Sequence, residues 1–87
     1  MDSRTKRKFH YVYILESINQ PEHYYTGFTE NLKIRLNAHN TGKCLHTIKF
    51  KPWKLKSAVA FTNYDKAVSS KKYLKTSSGR AFAKKRL

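Results

Sequence analysis

The run FHYVYILES, residues 9–17, constrains the fold more than any other stretch of this chain. It is dense in β-branched and aromatic side chains, which suit a pleated, partly buried surface. In a strand, Tyr11, Tyr13 and Leu15 share one face, and Val12 and Ile14 share the other. The polar, proline-containing INQPEH at 18–23 reads as a turn, and YYTGFT at 24–29 as a second strand. So short a connection predicts an antiparallel hairpin. Gly27, inside the second strand, predicts a bulge or a close approach by another backbone.

A helix is expected over NLKIRLNAHN, residues 31–40, capped by Thr29 or Asn31 and ended by Asn40 or Gly42. Leu32, Arg35, Leu36 and His39 cluster on one side of it. Ile34 and Ala38 lie opposite and are expected to face the sheet. Residues 41–52 form a basic connection without clear periodicity. In WKLKSAVAFT, residues 53–62, Trp53, Leu55, Ser57, Val59 and Phe61 alternate with Lys54, Lys56, Ala58 and Ala60, which gives a third strand. Asn63 caps a second helix over 64–76, with Asp65 in its first turn, where the helix dipole favours an acid. Ser77, Ser78 and Gly79 should break that helix, and RAFAKKRL should form a short final one. The order β-β-α-β-α-α predicts an α/β (α+β) fold, a small, mostly antiparallel three-stranded sheet flanked by helices. Val12, Ile14, Val59, Phe61 and Leu74 would be buried together. Eighty-seven residues suffice for one domain, here 9–87, preceded by a flexible basic arm, 1–8, with Arg4, Lys6, Arg7 and Lys8.

Charge narrows the partners. Nineteen Lys and Arg oppose five acids, a formal charge of +14. Such a surface favours nucleic acid, because each neutralised phosphate releases condensed counterions. Ribosomal RNA, DNA and acidic lipid all remain compatible with charge alone. The absence of a long one-sided cationic helix argues against a membrane partner. The single cysteine, Cys44, excludes an intrachain disulfide and a cysteine-based zinc site. No signal-peptide core and no membrane-length apolar run is present, so a soluble, cytoplasmic chain is expected.

Several chemistries are excluded. The chain has no phosphate-cradling glycine loop and no paired-carboxylate constellation, and His10, His23, His39 and His46 lack metal-ligand spacing. His10, His23 and His46 read as surface or loop residues. A polar cluster remains: Tyr13 and Tyr25 on the hairpin, with Arg35 and His39 at i, i+4 on one helix face. Tyrosines packed in a core with wet hydroxyls, above a solvated Arg35 and His39, would give the same pattern. For phosphodiester chemistry the set has a physical logic. An arginine binds phosphate oxygens and offsets charge in the transition state. A tyrosine or histidine orients or deprotonates water. One carboxylate would be needed to hold a divalent metal as Lewis acid.

These motifs resemble the GIY-YIG nuclease superfamily, specifically its small stand-alone single-domain branch. YVY at 11–13 matches the first signature, with Tyr11 where glycine is usual. YTG at 25–27 matches the second, with Thr26 where isoleucine is usual. NLKIRLNAHNTGK is similar to the helix that follows in the family, placing Arg35 and His39 at its R-x-x-x-H positions. PWKL, AFTNYDKA and KYLKTSSGRAFAKKRL resemble the rest, so the likeness spans roughly residues 9–87. It implies an α/β sandwich around a three-stranded antiparallel sheet and DNA hydrolysis with one divalent metal, Mg²⁺ or Mn²⁺. By the same resemblance Tyr25 would orient or activate water, Tyr13 and His39 would assist, and Arg35 would bind the scissile phosphate. DNA is thereby favoured over RNA. Lys72, Lys75, Arg80, Lys84, Lys85 and Arg86 are candidates for backbone contacts, or a merely solvated face.

The family's metal ligand is a glutamate in an E-K-x-L-K stretch of the last signature helix. Here that stretch is Lys71-Lys72-Tyr73-Leu74-Lys75, so Lys71 stands in the metal position. On the helical wheel Lys71 shares an arc with Ala67, Val68 and Leu74. An ammonium has three donors and no acceptor, so it cannot ligate Mg²⁺. Asp65 lies about 120° around the helix, and Glu16, Glu22 and Glu30 sit at element ends with no evident route to the pocket. Three explanations stand side by side: an inactivating change, engineered or selected; a natural chain that binds without cutting; or an ammonium that replaces the metal's charge in slow metal-free cleavage.

Overall fold

A computed structural model describes residues 8–87. Arg4, Lys6 and Arg7 of the expected arm lie outside the described residues, and Lys8 is exposed. The elements are β1 (His10–Ser17), β2 (Tyr24–Thr29), α1 (Leu32–Asn40), a 3-10 turn (Ile48–Phe50), β3 (Trp53–Phe61), α2 (Tyr64–Leu74) and α3 (Ser77–Arg86). The sheet runs β2-β1-β3, antiparallel at both junctions. This is the α+β order, β-β-α-β-α-α, that the sequence predicts.

β1 takes the centre because its side chains are apolar on both faces, and both faces are covered. On one, Val12 and Ile14 pack with Ala67 and Leu74, flanked by Phe28, Phe61, Ala83 and Leu87. On the other, Tyr13 and Leu15 pack with Trp53 beneath Leu32 and Leu36 of α1. Val59 is only half-buried and lies outside the first cluster, unlike Val12, Ile14 and Leu74.

Two expectations about faces are corrected. β3 does not keep one apolar face. Ile14 pairs with Ser57 but Leu15 pairs with Leu55, so Lys56 is an extra residue in the ladder. That bulge carries Trp53 and Leu55 to the α1 side while Phe61 stays on the α2 side. The second correction concerns α1. Its sheet-facing side carries Leu32, Leu36 and a buried His39, whereas Ile34 points away and is 67% exposed.

Side-chain caps fix where the helices start. Asn31 Oδ1 accepts from Ile34 N at 3.0 Å and Asn63 Oδ1 from Lys66 N at 2.9 Å. Thr76 Oγ1 accepts from Gly79 N at 3.0 Å, so Ser77, Ser78 and Gly79 open α3 instead of separating two helices. The turn is tight enough that a Cβ at Gly79 would collide with the Tyr73 carbonyl. None of the described helices is long and apolar enough to cross a membrane.

Candidate active site and nucleic-acid groove

Tyr13 is the hub. In the ladder it sits opposite Gly27 of β2 and Ala58 of β3. With no side chain at 27, the Tyr13 ring lies flat across β2. A Cβ there would overlap the ring at Cζ and the hydroxyl and come within 2.9 Å of Cε1. The close approach that Gly27 permits is therefore by a side chain, not by another backbone, and the sheet's bulge is at Lys56 instead.

The ring delivers its hydroxyl to His39 of α1, with Tyr13 Oη 2.8 Å from His39 Nε2. α1 is held in place by Asn40, whose side-chain amide pairs with the Trp53 backbone, accepting from N at 2.5 Å and donating to O at 2.9 Å. On the far side of the imidazole, Nδ1 is 2.6 Å from Thr47 Oγ1. Thr47 in turn faces the Cys44 carbonyl at 3.4 Å, and its own carbonyl accepts from Trp53 Nε1 at 2.8 Å. The network assigns the protons. Thr47 donates to Cys44 O, His39 Nδ1–H donates to Thr47, and His39 Nε2 accepts from the Tyr13 hydroxyl.

Burial sets the electrostatics. It lowers the His39 pKa, and the nearby Arg35 charge lowers it further, so the imidazole is held neutral. Burial also raises the Tyr13 phenol above the usual tyrosine value, opposed by the Arg35 guanidinium beside its hydroxyl. Arg35 donates from Nη2 to Cys44 Sγ at 3.8 Å. Tyr13 is 2% exposed and His39 fully buried, so both side chains are covered in this structure. Tyr25 and Arg35 are half-buried and reachable. The Tyr25 ring packs 5.1 Å from His39 and 6.4 Å from Tyr13, with Lys75 Nζ 5.8 Å from its centroid. The four expected catalytic residues thus form one cluster: two sealed beneath, two open above.

Lys71 is half-buried beside this cluster. Burial, with the positive charges of Lys75 and Arg35, holds its ammonium below the usual lysine range. Lys71 thus lies within electrostatic reach of two further cationic side chains, Lys75 and Arg35. Among the described residues, no group of three His, Cys, Asp or Glu could bind one. The residues present do not fit Mg²⁺ or Mn²⁺. What they can hold is an anion with several oxygens, such as a phosphate.

On the α2 face of the sheet, between the start of β2 and α3, lies a groove of about 850 Å³ that shares Tyr25 and Lys75 with the cluster, while Tyr13, Arg35, His39 and Lys71 do not line it. Of the expected backbone-contact residues, Lys75, Arg80 and Lys84 line it. Lys72, Lys85 and Arg86 are exposed but outside it. Lys56, His23 and Tyr24 line it without having been singled out for a site, Lys56 because the bulge was not legible. Thr47 and the Arg35–Cys44 contact were also missed; they lie in or against the aperiodic 41–52 segment, which gives no sequence signal. Glu22 borders the groove after all, 3.9 Å from His23 Nε2. Glu16 instead faces Lys54 at 4.0 Å and Glu30 faces His10 at 3.4 Å.

A family model for the GIY-YIG catalytic domain matches residues 9–86. Comparisons with curated proteins and with solved structures found no match.

Proposed function

The chain belongs to the GIY-YIG catalytic-domain family, whose function is of nuclease type, and from that premise we propose that it is a DNA-binding endonuclease domain disabled at Lys71. Arg35 binds the scissile phosphate and Tyr25 orients the water that attacks it. Tyr13 and His39, sealed below, act as positioning residues: the neutral imidazole holds the Tyr13 hydroxyl against the Arg35 guanidinium. In the family a divalent metal supplies Lewis-acid polarisation of the phosphate. Here the position that would hold it is cationic.

The observation that carries this reading is the pairing of an intact Tyr13–His39–Thr47 network with a half-buried Lys71 that feels the charges of Lys75 and Arg35. A framework for handling phosphate is retained while the acceptor for a metal is not. The same pairing supports a second reading, a non-catalytic nucleic-acid-binding module on the same frame.

The DNA-binding half is tested by anisotropy titrations in EDTA across a salt series. Arg35 and the groove cations Lys56, Lys75, Arg80 and Lys84 should give a log K against log[salt] slope of about −3.5 to −4.5. Arg35→Ala should weaken binding while leaving the circular dichroism spectrum intact. A flat salt dependence contradicts phosphate binding, and an unfolded Arg35→Ala would assign that residue a structural role.

A further inference from the structure

Beyond the proposed DNA binding, and resting on it, the groove itself points to a substrate class. We propose that it receives unpaired nucleotides, so that single-stranded DNA is the preferred ligand and Tyr24 is the side chain on which a base stacks.

The groove is layered by polarity. Its floor is apolar: Ile14 and Leu74 are buried there, with Ala83 of α3 beside them. Its rim is cationic, with Lys56 of β3 and Arg80 and Lys84 of α3, all exposed. One wall is aromatic. Tyr24 stands 54% exposed at the start of β2, and the His23 ring before it is stacked on Phe50 at 3.9 Å. That stacking fixes the end of the wall.

An apolar floor under a charged rim suits a ligand with flat apolar faces and anionic links. An unpaired strand has both, and base–aromatic stacking is tolerant of sequence. A duplex keeps its base faces stacked on one another and offers the groove only phosphates and base edges. It could engage the rim and leave the floor and Tyr24 uncovered. Volume agrees: about 850 Å³ is the scale of a small-ligand pocket, room for a few unpaired bases at most. The groove adjoins the Arg35 cluster only at the β2 edge, where Tyr25 and Lys75 belong to both. Glu22, the one carboxylate on the lining, is mostly exposed and lies 3.9 Å from His23 Nε2.

The test is competition at fixed salt with the full chain. A labelled single-stranded 12-mer is displaced by the same unlabelled strand or by its duplex, with Tyr24→Ala, Tyr24→Trp and Tyr64→Ala variants alongside. Tyr64 is equally exposed but off the groove. The native chain should prefer the single strand by about tenfold or more. Tyr24→Ala should weaken single-strand binding about 5- to 150-fold and leave duplex binding unchanged. Tyr24→Trp should restore it, and Tyr64→Ala should change neither. Equal or tighter duplex binding, or an equal loss of both by Tyr24→Ala, overturns the proposal while leaving the DNA-binding reading in place. No salt-sensitive binding to either form overturns both.

Discussion

Gly27→Ala is the smallest change that should dismantle the site. The Gly27 backbone is not in the left-handed region, so alanine is allowed there by conformation, and the cost must come from packing. The added methyl would occupy the space of Tyr13 Cζ and its hydroxyl. Carbon contacts settle near 3.5–4.0 Å, so the ring must retreat by roughly 1 Å or more. The 2.8 Å bond from Tyr13 to His39 Nε2 cannot survive that shift. Overpacking costs about 1–3 kcal/mol, and leaving a buried hydroxyl and imidazole unpaired costs about 1–3 kcal/mol more. A loss near 3 kcal/mol would lower Tm by roughly 10–25 °C for a domain of this size. Thermal and urea unfolding would measure it. The decisive comparison is a cycle with Tyr13→Leu, which empties the space over residue 27. In that background Gly27→Ala should cost less than about 1 kcal/mol, because only strand entropy and propensity remain. Equal cost in both backgrounds would refute the ring-on-glycine explanation.

His39 should make stability depend on pH. Its folded pKa lies below the ordinary value of about 6.5, so the unfolded state binds the proton first as pH falls. The contribution is complete above that value and declines below it, by at most about 1.4 kcal/mol per pH unit. Urea midpoints between pH 7.5 and 5 should show a steeper decline for the native chain than for His39→Gln. Thr47→Val removes the partner of the buried His39 Nδ1 and should cost about 1–3 kcal/mol, with Thr47→Ser recovering most of it; a neutral valine variant would remove Thr47 from the network. On the DNA side, Arg80→Ala should reduce the salt slope by about 0.7–0.9, and Lys85→Ala, outside the groove, should leave it unchanged in the same titrations.

β1 was legible from its density of β-branched and aromatic residues and β3 from its alternation, and the helix starts because Asn31 and Asn63 do what capping residues do. What was not legible depends on partners. The register slip at Lys56 exists only in pairing with β1, so an unbroken alternation in sequence becomes two faces in space. The sheet-facing side of α1 was misassigned because it carries Arg35 and His39. Apolar counting rejects such residues until Tyr13, Thr47 and Cys44 are seen to satisfy them. The start of α3 was hidden by Ser77, Ser78 and Gly79, which read as breakers until Thr76 is seen capping them. Tyr13, Tyr25, Arg35 and His39 could be named from the sequence motifs. The sequence could not tell which were open: burial divides them into two buried supports and two accessible groups.

Lys71 remains the centre of the account, and a cleavage assay on labelled single- and double-stranded DNA tests it most directly. The native chain and Lys71→Glu would be compared in Mg²⁺, Mn²⁺ and EDTA. The substitution takes the formal charge from +14 to +12, +1 becoming −1, so a strongly basic surface persists in both. The expected result is cleavage by Lys71→Glu with metal, none in EDTA, and none by the native chain in any condition. Cleavage by the native chain, or a Lys71→Glu protein that binds DNA but never cuts, would contradict the reading of a nuclease disabled at this one position.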